Sequence, residues 1–330
     1  MVPASPIVTS VVPDRAVGRG RITLRGSGLA VTDRSTAFVG EAPACISFAS
    51  DRRLIIIVPD EVDGGLVPVR VDDTTLSHVW IGGPCATGLH QVDNPVFDPS
   101  GNLFVTYSGA RGQEAPVSIF RVTRAGTREP FVSGIVNATS MAFGPDGRLY
   151  VSSRFEGAVY RVAGDGTPEQ VASDLGVACG IAFDADGWMY VGDRSGTIFR
   201  VRDGRAAAFA SLPPSVAAFH LAMSPDGDLY VTAPTLGTYD SLYRIDRRGE
   251  VTTMASSLGR PQGIGFGPDG SLYVVDALAG SSGVHRRDAD GSFPLVVAGG
   301  ALVGLAFGPG GELVVTSADT AYRFDEFLAA

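Results

Sequence analysis

The sequence predicts an all-β protein with two domains, a small β-sandwich in residues 1–83 and a six-bladed β-propeller of four-stranded blades in residues 84–330. The main observation is an eight-residue signature that occurs six times after residue 84. Its glycines, at positions 101, 147, 187, 227, 270 and 311, recur every 40 to 46 residues, a period typical of propeller blades rather than of helical repeats. The 43 glycines and 21 prolines also favour short strands joined by tight turns.

The signature is clearest at Gly144–Val151, which reads Gly-Pro-Asp-Gly-Arg-Leu-Tyr-Val. Proline presets φ and glycine accepts a positive φ, so we predict a tight turn between the first two strands of each repeat. In the second repeat the four predicted strands are residues 139–143, 149–152, 158–162 and 169–172. The third strands carry an aromatic–arginine pair, such as Tyr160-Arg161, whose arginine is either structural or part of a ligand-binding ring.

The sixth repeat ends at residues 320–324 without an outer strand of its own. Residues 84–87, just before the first repeat, have the character of an outer strand. We expect them to supply the missing strand, because a closed ring removes the open sheet edges. The alternative is that these residues mimic an outer strand by chance.

Composition excludes several classes of function. The formal charge of −9 and the isoelectric point near 4.9 disfavour non-specific binding of nucleic acids or anionic membranes. All 26 basic residues are arginines, which excludes Schiff-base chemistry on lysine. No apolar run is long enough to predict a membrane span, and Cys45, Cys85 and Cys179 imply no disulfide framework.

Residues 1–17 show no signal-peptide pattern. The compartment therefore stays open: cytoplasmic as written, or secreted or periplasmic if a leader has been removed.

Residues 1–83 contain short β-rich runs separated by Gly, Pro and Asp turns. The runs Ile22–Gly28, Phe38–Gly40 and Val67–Val71 resemble an IPT/TIG immunoglobulin-like domain. The resemblance implies a spacer or a dock for an interaction partner.

Residues 84–330 resemble six-bladed propellers of the NHL and gluconolactonase (senescence marker protein) superfamily. The resemblance rests on the Pro-Asp-Gly turns and on first strands such as Gly180–Asp184 and Gly304–Gly308. It implies an architecture shared by lactone or ester hydrolases, lyases and binding modules.

In the lactonase branch, the resemblance implies a divalent cation, usually calcium, in the central channel. Asp93 matches the position of the family's first acidic ligand and is one methylene shorter. The family's further Asn and Asp ligands are absent, so loop carboxylates such as Asp193 or Asp276 would have to complete the site.

Other candidate residues lie at the starts of the predicted first strands. His220 stands where sibling repeats have glycine, and its imidazole is a candidate general base. Cys179 is either a nucleophile or a buried thiol. The remaining channel candidates are Asn94, Ser140 and Gln262.

The loops between second and third strands form a predicted rim at the same end of the channel. Three are long, residues 107–115, 233–240 and 277–282, and long loops on one rim favour ligand binding. The candidate rim residues are Tyr107, Arg111, Glu114, Arg154, Asp193, Arg194, Tyr239, Asp240 and Asp276. The competing interpretation is that these rim residues are solvent-exposed charged groups with no role in ligand binding.

Two classes of function follow. The first is a propeller that binds a small or extended polar ligand, carbohydrate-like for example, or a protein partner, over its channel. The alternative is a calcium-dependent hydrolase or lyase of the gluconolactonase type, in which Asp93 holds the metal and His220 acts as base.

Overall fold

The structure, a computed structural model, describes residues 6–32 and 34–328, and every regular element in those ranges is a β-strand. The predicted all-β class is therefore confirmed. Residues 1–5 and 33 of the predicted N-terminal domain lie outside the described residues. No helix in the described ranges has the length and apolar character that crossing a bilayer requires.

Eight strands form the N-terminal domain. They are β1 Ile7–Val12, β2 Arg15–Ala16, β3 Arg21–Ser27, β4 Ala37–Val39, β5 Ala42–Ser50, β6 Arg53–Ile57, β7 Gly65–Val71 and β8 Thr74–Ile81.

Two layers share strand β5. Its C-terminal half pairs with β6, which continues to β3 and β1, and its N-terminal half pairs with β4, which continues to β7 and β8. Alternate residues such as Leu24 of β3, Leu54 of β6 and Val79 of β8 are fully buried in one apolar cluster. This alternation, with one face of each strand in the core, produces the sandwich that the sequence predicts.

The rest of the chain consists of four-strand units in sequence order. The strands are β9 Gly83–Ala86, β10 Val96–Phe97, β11 Leu103–Thr106, β12 Ile119–Val122, β13 Arg128–Val132, β14 Ala138–Phe143, β15 Leu149–Ser153, β16 Ala158–Val162, β17 Pro168–Ala172, β18 Ala178–Phe183, β19 Met189–Asp193, β20 Thr197–Arg202, β21 Arg205–Ser211, β22 His220–Met223, β23 Leu229–Thr232, β24 Asp240–Ile245, β25 Val251–Leu258, β26 Pro261–Phe266, β27 Leu272–Asp276, β28 Gly283–Arg286, β29 Leu295–Ala298, β30 Leu302–Phe307, β31 Leu313–Ser317 and β32 Ala321–Phe324.

Five of these units form separate four-stranded antiparallel sheets, the blades of a β-propeller. The expectation of six four-stranded blades is not supported. The strands β26–β29 belong instead to a twelve-stranded sheet that continues into the N-terminal domain. The physical reason is β2, which pairs in parallel with β8 on one side and with β29 on the other, so the two domains share one hydrogen-bonded sheet.

The first strands of the units lie side by side around a central channel. Strand β14 contacts β18, which is followed around the channel by β22, β26 and β30, while β10 contacts both β30 and β14. The first strand of the first repeat is therefore opposite β22, the first strand of the fourth. Strand β10 is only two residues long, and Pro95, just before it, has no N–H to pair.

The predicted closing strand is observed. Strand β9 pairs antiparallel with β32, with Ala86 opposite Ala321 and Pro84 opposite Tyr322. The last sheet thus takes its outer strand from the segment that precedes the first repeat, as the sequence predicts.

The signature forms the expected turn in each repeat. In the second repeat, the Gly147 N–H donates to the Gly144 carbonyl at 2.9 Å, and Gly147 has a φ of 71°. The equivalent glycines of the other five repeats also have positive φ. The turns lie at the end of the propeller opposite the rim loops, because each joins a first strand to a second.

Candidate functional site

A cavity of about 310 Å³ lies at the end of the channel where the first strands begin. Residues from the second to the sixth sequence repeat line it, together with residues 90–92 just before the first, which places it on the ring axis. Its lining residues include His90, Arg154, Cys179, Arg194, Ala218, Gln262 and Val303. Of the predicted candidates, the structure therefore brings Arg154, Cys179, Arg194 and Gln262 together in one cavity.

Three residues, Asp93, Asn94 and His220, fill the channel next to this cavity, and we call them the channel plug. The His220 Nδ1 atom lies 2.5 Å from the Asp93 Oδ1 atom, and the side chains are 0% and 2% exposed. Asp93 precedes β10 and His220 begins β22. Since these strands are opposite each other, their hydrogen bond crosses the channel axis.

Asn94 ties further strands to the channel plug. Its side-chain amide donates to the Ile264 carbonyl at 2.7 Å and accepts from the Leu305 N–H at 3.0 Å, while its backbone N–H donates to Asp93 Oδ1 at 2.7 Å. The sibling glycine Gly304 has no room for a side chain, because a Cβ there would lie 2.5 Å from the Asp93 carbonyl oxygen. The channel plug therefore joins the first strands of four repeats.

The Asp93–His220 pair has the geometry of an imidazole oriented by a carboxylate, as in general-base sites. The other ring nitrogen, Nε2, is buried and has no hydrogen-bond partner among the described residues. Because Nε2 is buried, the residues that surround it would have to move before a substrate could reach it and His220 could act as a base.

Ser140 and Cys179 are held by neighbouring backbone groups. Ser140 Oγ accepts from the Ile181 N–H at 3.1 Å, which links adjacent first strands. The Cys179 thiol donates to the Val177 carbonyl at 3.3 Å, and burial raises its pKa to about 12. Because the thiolate is the nucleophilic form, this geometry favours the interpretation of Cys179 as a buried thiol.

Three of the predicted loop aspartates hold backbone amides. Asp193 accepts from the Val177 N–H at 2.7 Å, Asp240 accepts from the Thr235 N–H at 2.9 Å, and Asp276 accepts from the N–H groups of Gly259 and Arg260 at 2.9 and 2.7 Å. All three carboxylates are buried. They anchor the loops that lead into the channel instead of reaching into it.

The channel does not fit a calcium ion. Among the described ranges, 6–32 and 34–328, no three His, Cys, Asp or Glu side chains are grouped as metal ligands. The Asp93 carboxylate is bonded to His220 and Asn94, whereas calcium takes six to eight oxygen ligands. The arginines in the cavity would also repel a cation.

Arg154 and Arg194 supply the positive charge of the cavity. Arg154 makes no side-chain hydrogen bond or ion pair with any described residue. Its pKa is lowered by burial and by the positive charges of Arg194 and Arg111. Arg194 donates from Nη2 to the Val216 carbonyl at 3.0 Å, and its buried Nε has no partner within the described part of the chain.

The predicted rim divides into two regions. Tyr107, Arg111 and Glu114 belong to the loop after β11, and Arg111 is close enough to Arg154 to affect its pKa. Tyr239 and Asp240 line a different cavity, of about 600 Å³, together with Leu236. The long loops at 107–115 and 233–240 therefore do not line a common cavity.

Sequence reasoning missed His90, Gln91 and Asn137. The His90 ring makes an edge contact with Tyr107, with centroids 6.2 Å apart, and burial and Arg154 lower its pKa. Gln91 is fully buried; its amide donates to the Asp93 carbonyl at 2.7 Å and accepts from the Thr106 N–H at 2.7 Å. The sequence signal that could have identified His90 and Gln91 was their position directly before the first repeat, close to Asp93.

Asn137 fixes the rim loop after β11. Its amide donates to the carbonyls of Ser108 and Ala110 at 2.6 and 2.9 Å, and its Oδ1 accepts from the Gly112 N–H at 2.7 Å. Asn137 has a φ of 51°, a conformation that asparagine tolerates better than most residues. The residue type was the only local signal in the sequence.

Two family models match parts of the chain. Residues 6–82 match the IPT/TIG domain, which agrees with the predicted N-terminal module, and residues 180–201 match the family described as strictosidine synthase-like, N-terminal. No curated protein matches the sequence.

Solved structures of three kinds are similar in fold. An auxiliary nutrient binding protein from Bacteroides ovatus is 14% identical, with 98% of each chain covered and a TM-score of 0.56. A gluconolactonase from Xanthomonas campestris is 18% identical, with 72% of this chain and 87% of that chain covered and a TM-score of 0.57. Virginiamycin B lyase from Staphylococcus aureus is 16% identical, with 74% and 87% covered and a TM-score of 0.50.

These likenesses establish the β-propeller fold. The first extends over both domains, and the other two cover about three quarters of this chain. The NHL resemblance is not shown by any of these comparisons and stays a prediction.

Proposed function

We propose that this protein binds a small polar molecule in the cavity at the end of the propeller channel. The observation that carries the proposal is a cavity at the end of the channel whose lining includes the polar side chains of His90, Arg154, Arg194 and Gln262. The cavity volume of about 310 Å³ lies at the lower end of the range for small-molecule sites.

Several polar groups in the cavity are free to bind such a molecule. The side chains of His90 and Gln262 are partly exposed and make no side-chain hydrogen bond with the described residues. Arg154 is equally free. A polar ligand would supply hydrogen-bond partners for these groups.

We also propose that strands β26–β29 act as a sixth blade, although they belong to the larger sheet. Strand β26 contacts β22 on one side and β30 on the other, and Gln262 of β26 lines the cavity. On this proposal the N-terminal domain is a rigid platform attached to that blade. The likeness to the nutrient binding protein, which covers both domains, supports a binding role for the whole chain.

A cavity-filling substitution tests the proposed site. The full-length protein would be screened by thermal shift and calorimetry against sugars, sugar acids, sugar phosphates and amino acids. We expect Ala218→Trp, which places a large ring in the cavity, to abolish binding of any compound found. The control Ala207→Trp, on the exposed strand β21, should leave binding unchanged. Binding that survives Ala218→Trp would place the ligand elsewhere.

Hydrolysis of lactones or esters, or a lyase reaction, is the second candidate function. The observation that favours it is the Asp93–His220 pair with its free Nε2 atom. It predicts lactone hydrolysis that disappears in His220→Gln and persists in Cys179→Ala. Absence of turnover across a panel of lactones and esters would remove this candidate.

A further inference from the structure

Arg154 and Arg194 have no acidic partner among the described residues, and the half-buried Arg287, just after a third strand, has none either. All but one of the arginines at the repeated third-strand position of this propeller do have such a partner. Third-strand arginines pair with carboxylates, for example Arg121 with Glu129 at 2.7 Å and Arg323 with Glu312 at 3.2 Å. The exception among third strands, Arg200, stacks on the Trp188 ring at 3.9 Å. The chain has 35 acidic residues for 26 arginines, so the missing partners in the cavity are not a consequence of a shortage of acids.

Three acidic residues of the channel and rim form no ion pair with the two arginines. Asp193, adjacent to Arg194, accepts hydrogen bonds from the Val177 N–H and from the Ser195 hydroxyl. Asp93 accepts from His220 and from the Asn94 N–H. Glu114 is exposed on the rim loop and makes no ion pair among the described residues. Two guanidinium groups therefore face the same small cavity without compensation.

We propose that this cavity is an oxyanion site and that its ligand is a small hydroxylated molecule bearing a carboxylate or a phosphate. An oxyanion between Arg154 and Arg194 would accept charge-assisted hydrogen bonds from both, and the planar guanidinium matches such groups in a bidentate manner. The Nε of Arg194 is buried without a partner, as it is in several third-strand arginines, but here it belongs to a cavity-lining residue and such a ligand would satisfy it. The Gln262 amide and the His90 ring remain for hydroxyl groups.

The electrostatics of the neighbouring groups agree with this assignment. The pKa of Arg154 is lowered first by burial and then by Arg194 and Arg111, and the pKa of His90 is lowered first by burial and then by Arg154. Each group thus experiences its neighbours' positive charge. A bound anion would reverse this repulsion, and its attraction would be greater in the partly desolvated cavity than in bulk water.

This inference rests on the proposed function, because it assigns the chemistry of the ligand in the same cavity. Calorimetry on the full chain in low-salt buffer with glucose, gluconate and glucose 6-phosphate distinguishes the neutral, carboxylate and phosphate forms of one scaffold. Inorganic phosphate and acetate, tested by thermal shift, show whether the cavity binds the anionic group when no sugar is attached to it. We expect one of the two anionic series to bind about tenfold or more tightly than glucose.

The matched variants are Arg154→Gln and Arg161→Gln. Arg161 pairs with Glu169 at 2.6 Å on a third strand, outside the cavity. We expect Arg154→Gln to weaken anion binding by about 10- to 100-fold, and Arg161→Gln to leave it unchanged. The same variants separate binding from folding, since Arg154 has no partner to lose and Arg154→Gln should retain the parental melting temperature without ligand.

The outcomes distinguish the two proposals. If glucose binds as tightly as gluconate and glucose 6-phosphate, and Ala218→Trp abolishes that binding, the small-molecule site stands and the anion assignment is wrong. Anion binding that is unchanged in Arg154→Gln also overturns the assignment. If none of the five probes binds, the anion assignment is wrong. The broader ligand screen with Ala218→Trp then tests separately whether the cavity binds any small molecule.

Discussion

At the scale of single residues, the channel plug shows how one substitution in a repeat changes the interior of the ring. Sibling repeats have Gly180, Gly263 and Gly304 at the position of His220. In those repeats the backbone of a neighbouring strand, or the Asn94 side chain, occupies the space that a Cβ would need. The first and second repeats have Asn94 and Ser140 at this position, and the fourth has His220. The His220 side chain extends across the axis to Asp93.

Removing one member of the buried Asp93–His220 pair should lower the stability of the protein. His220→Ala leaves the Asp93 carboxylate buried without its cross-channel partner, and breaking such pairs typically costs about 3–5 kcal/mol. We expect the free energy of unfolding in urea to fall by that amount. His285→Ala is the matched control, since His285 is also buried but bonds only to backbone carbonyls. Equal losses in both variants would contradict a special role for the carboxylate partner.

The same contact marks the limit of sequence-based prediction for the site. The sequence predicts a metal ligand at Asp93 and a general base at His220, with separate roles. They lie 127 positions apart in the chain, and their contact depends on strands β10 and β22 being opposite in the ring. Repeat spacing predicts that both residues line the channel, but not that the two side chains meet.

At the scale of elements, the signature turn and the third strand carry the regularity of the propeller. The third-strand arginines bond mostly to acids within their own sheet, as in Arg121–Glu129, where β12 pairs with β13. This geometry favours the structural interpretation of the aromatic–arginine pairs. Arg154 and Arg194 lie in loops, each seven residues after a signature glycine, at a position where the other four repeats have Ser108, Pro234, Ala277 and Ala318.

The turn glycine can be tested against a glycine in an ordinary conformation. Gly147 has a φ of 71° and open space around its missing Cβ, whereas Gly164 has the same open space without a positive φ. Gly147→Ala should therefore lower the free energy of unfolding by about 1 kcal/mol through backbone strain alone. Gly164→Ala should be neutral or stabilise by about 0.4–1 kcal/mol, because alanine restricts the unfolded chain. Equal effects in chemical denaturation would exclude backbone strain as the reason for the repeated glycine.

At the scale of the whole molecule, the sequence predicts the two domains, the turns and the closing strand, because each leaves a local pattern. The glycine spacing defines the repeats, and the missing outer strand of the last repeat indicates closure by residues 84–87. The shared sheet leaves no such pattern. Strand β2 is only two residues long, which is too short for an alternation of apolar and polar residues, and its partner β29 is far away in the sequence.

The shared sheet predicts that the two domains unfold as one unit. Val17, just after β2, is fully buried in an apolar cluster with Val297 and Phe324 of the propeller, and its N–H donates to the Ala298 carbonyl at 2.9 Å. We expect one calorimetric transition for the parent protein. Val17→Asp would bury an unpaired charge at this junction and should separate the transition into two, whereas Val251→Asp, at a side chain that is 39% exposed, should not. Two transitions in the parent protein would show that β2 does not couple the domains, and the N-terminal domain would then act as an independent spacer.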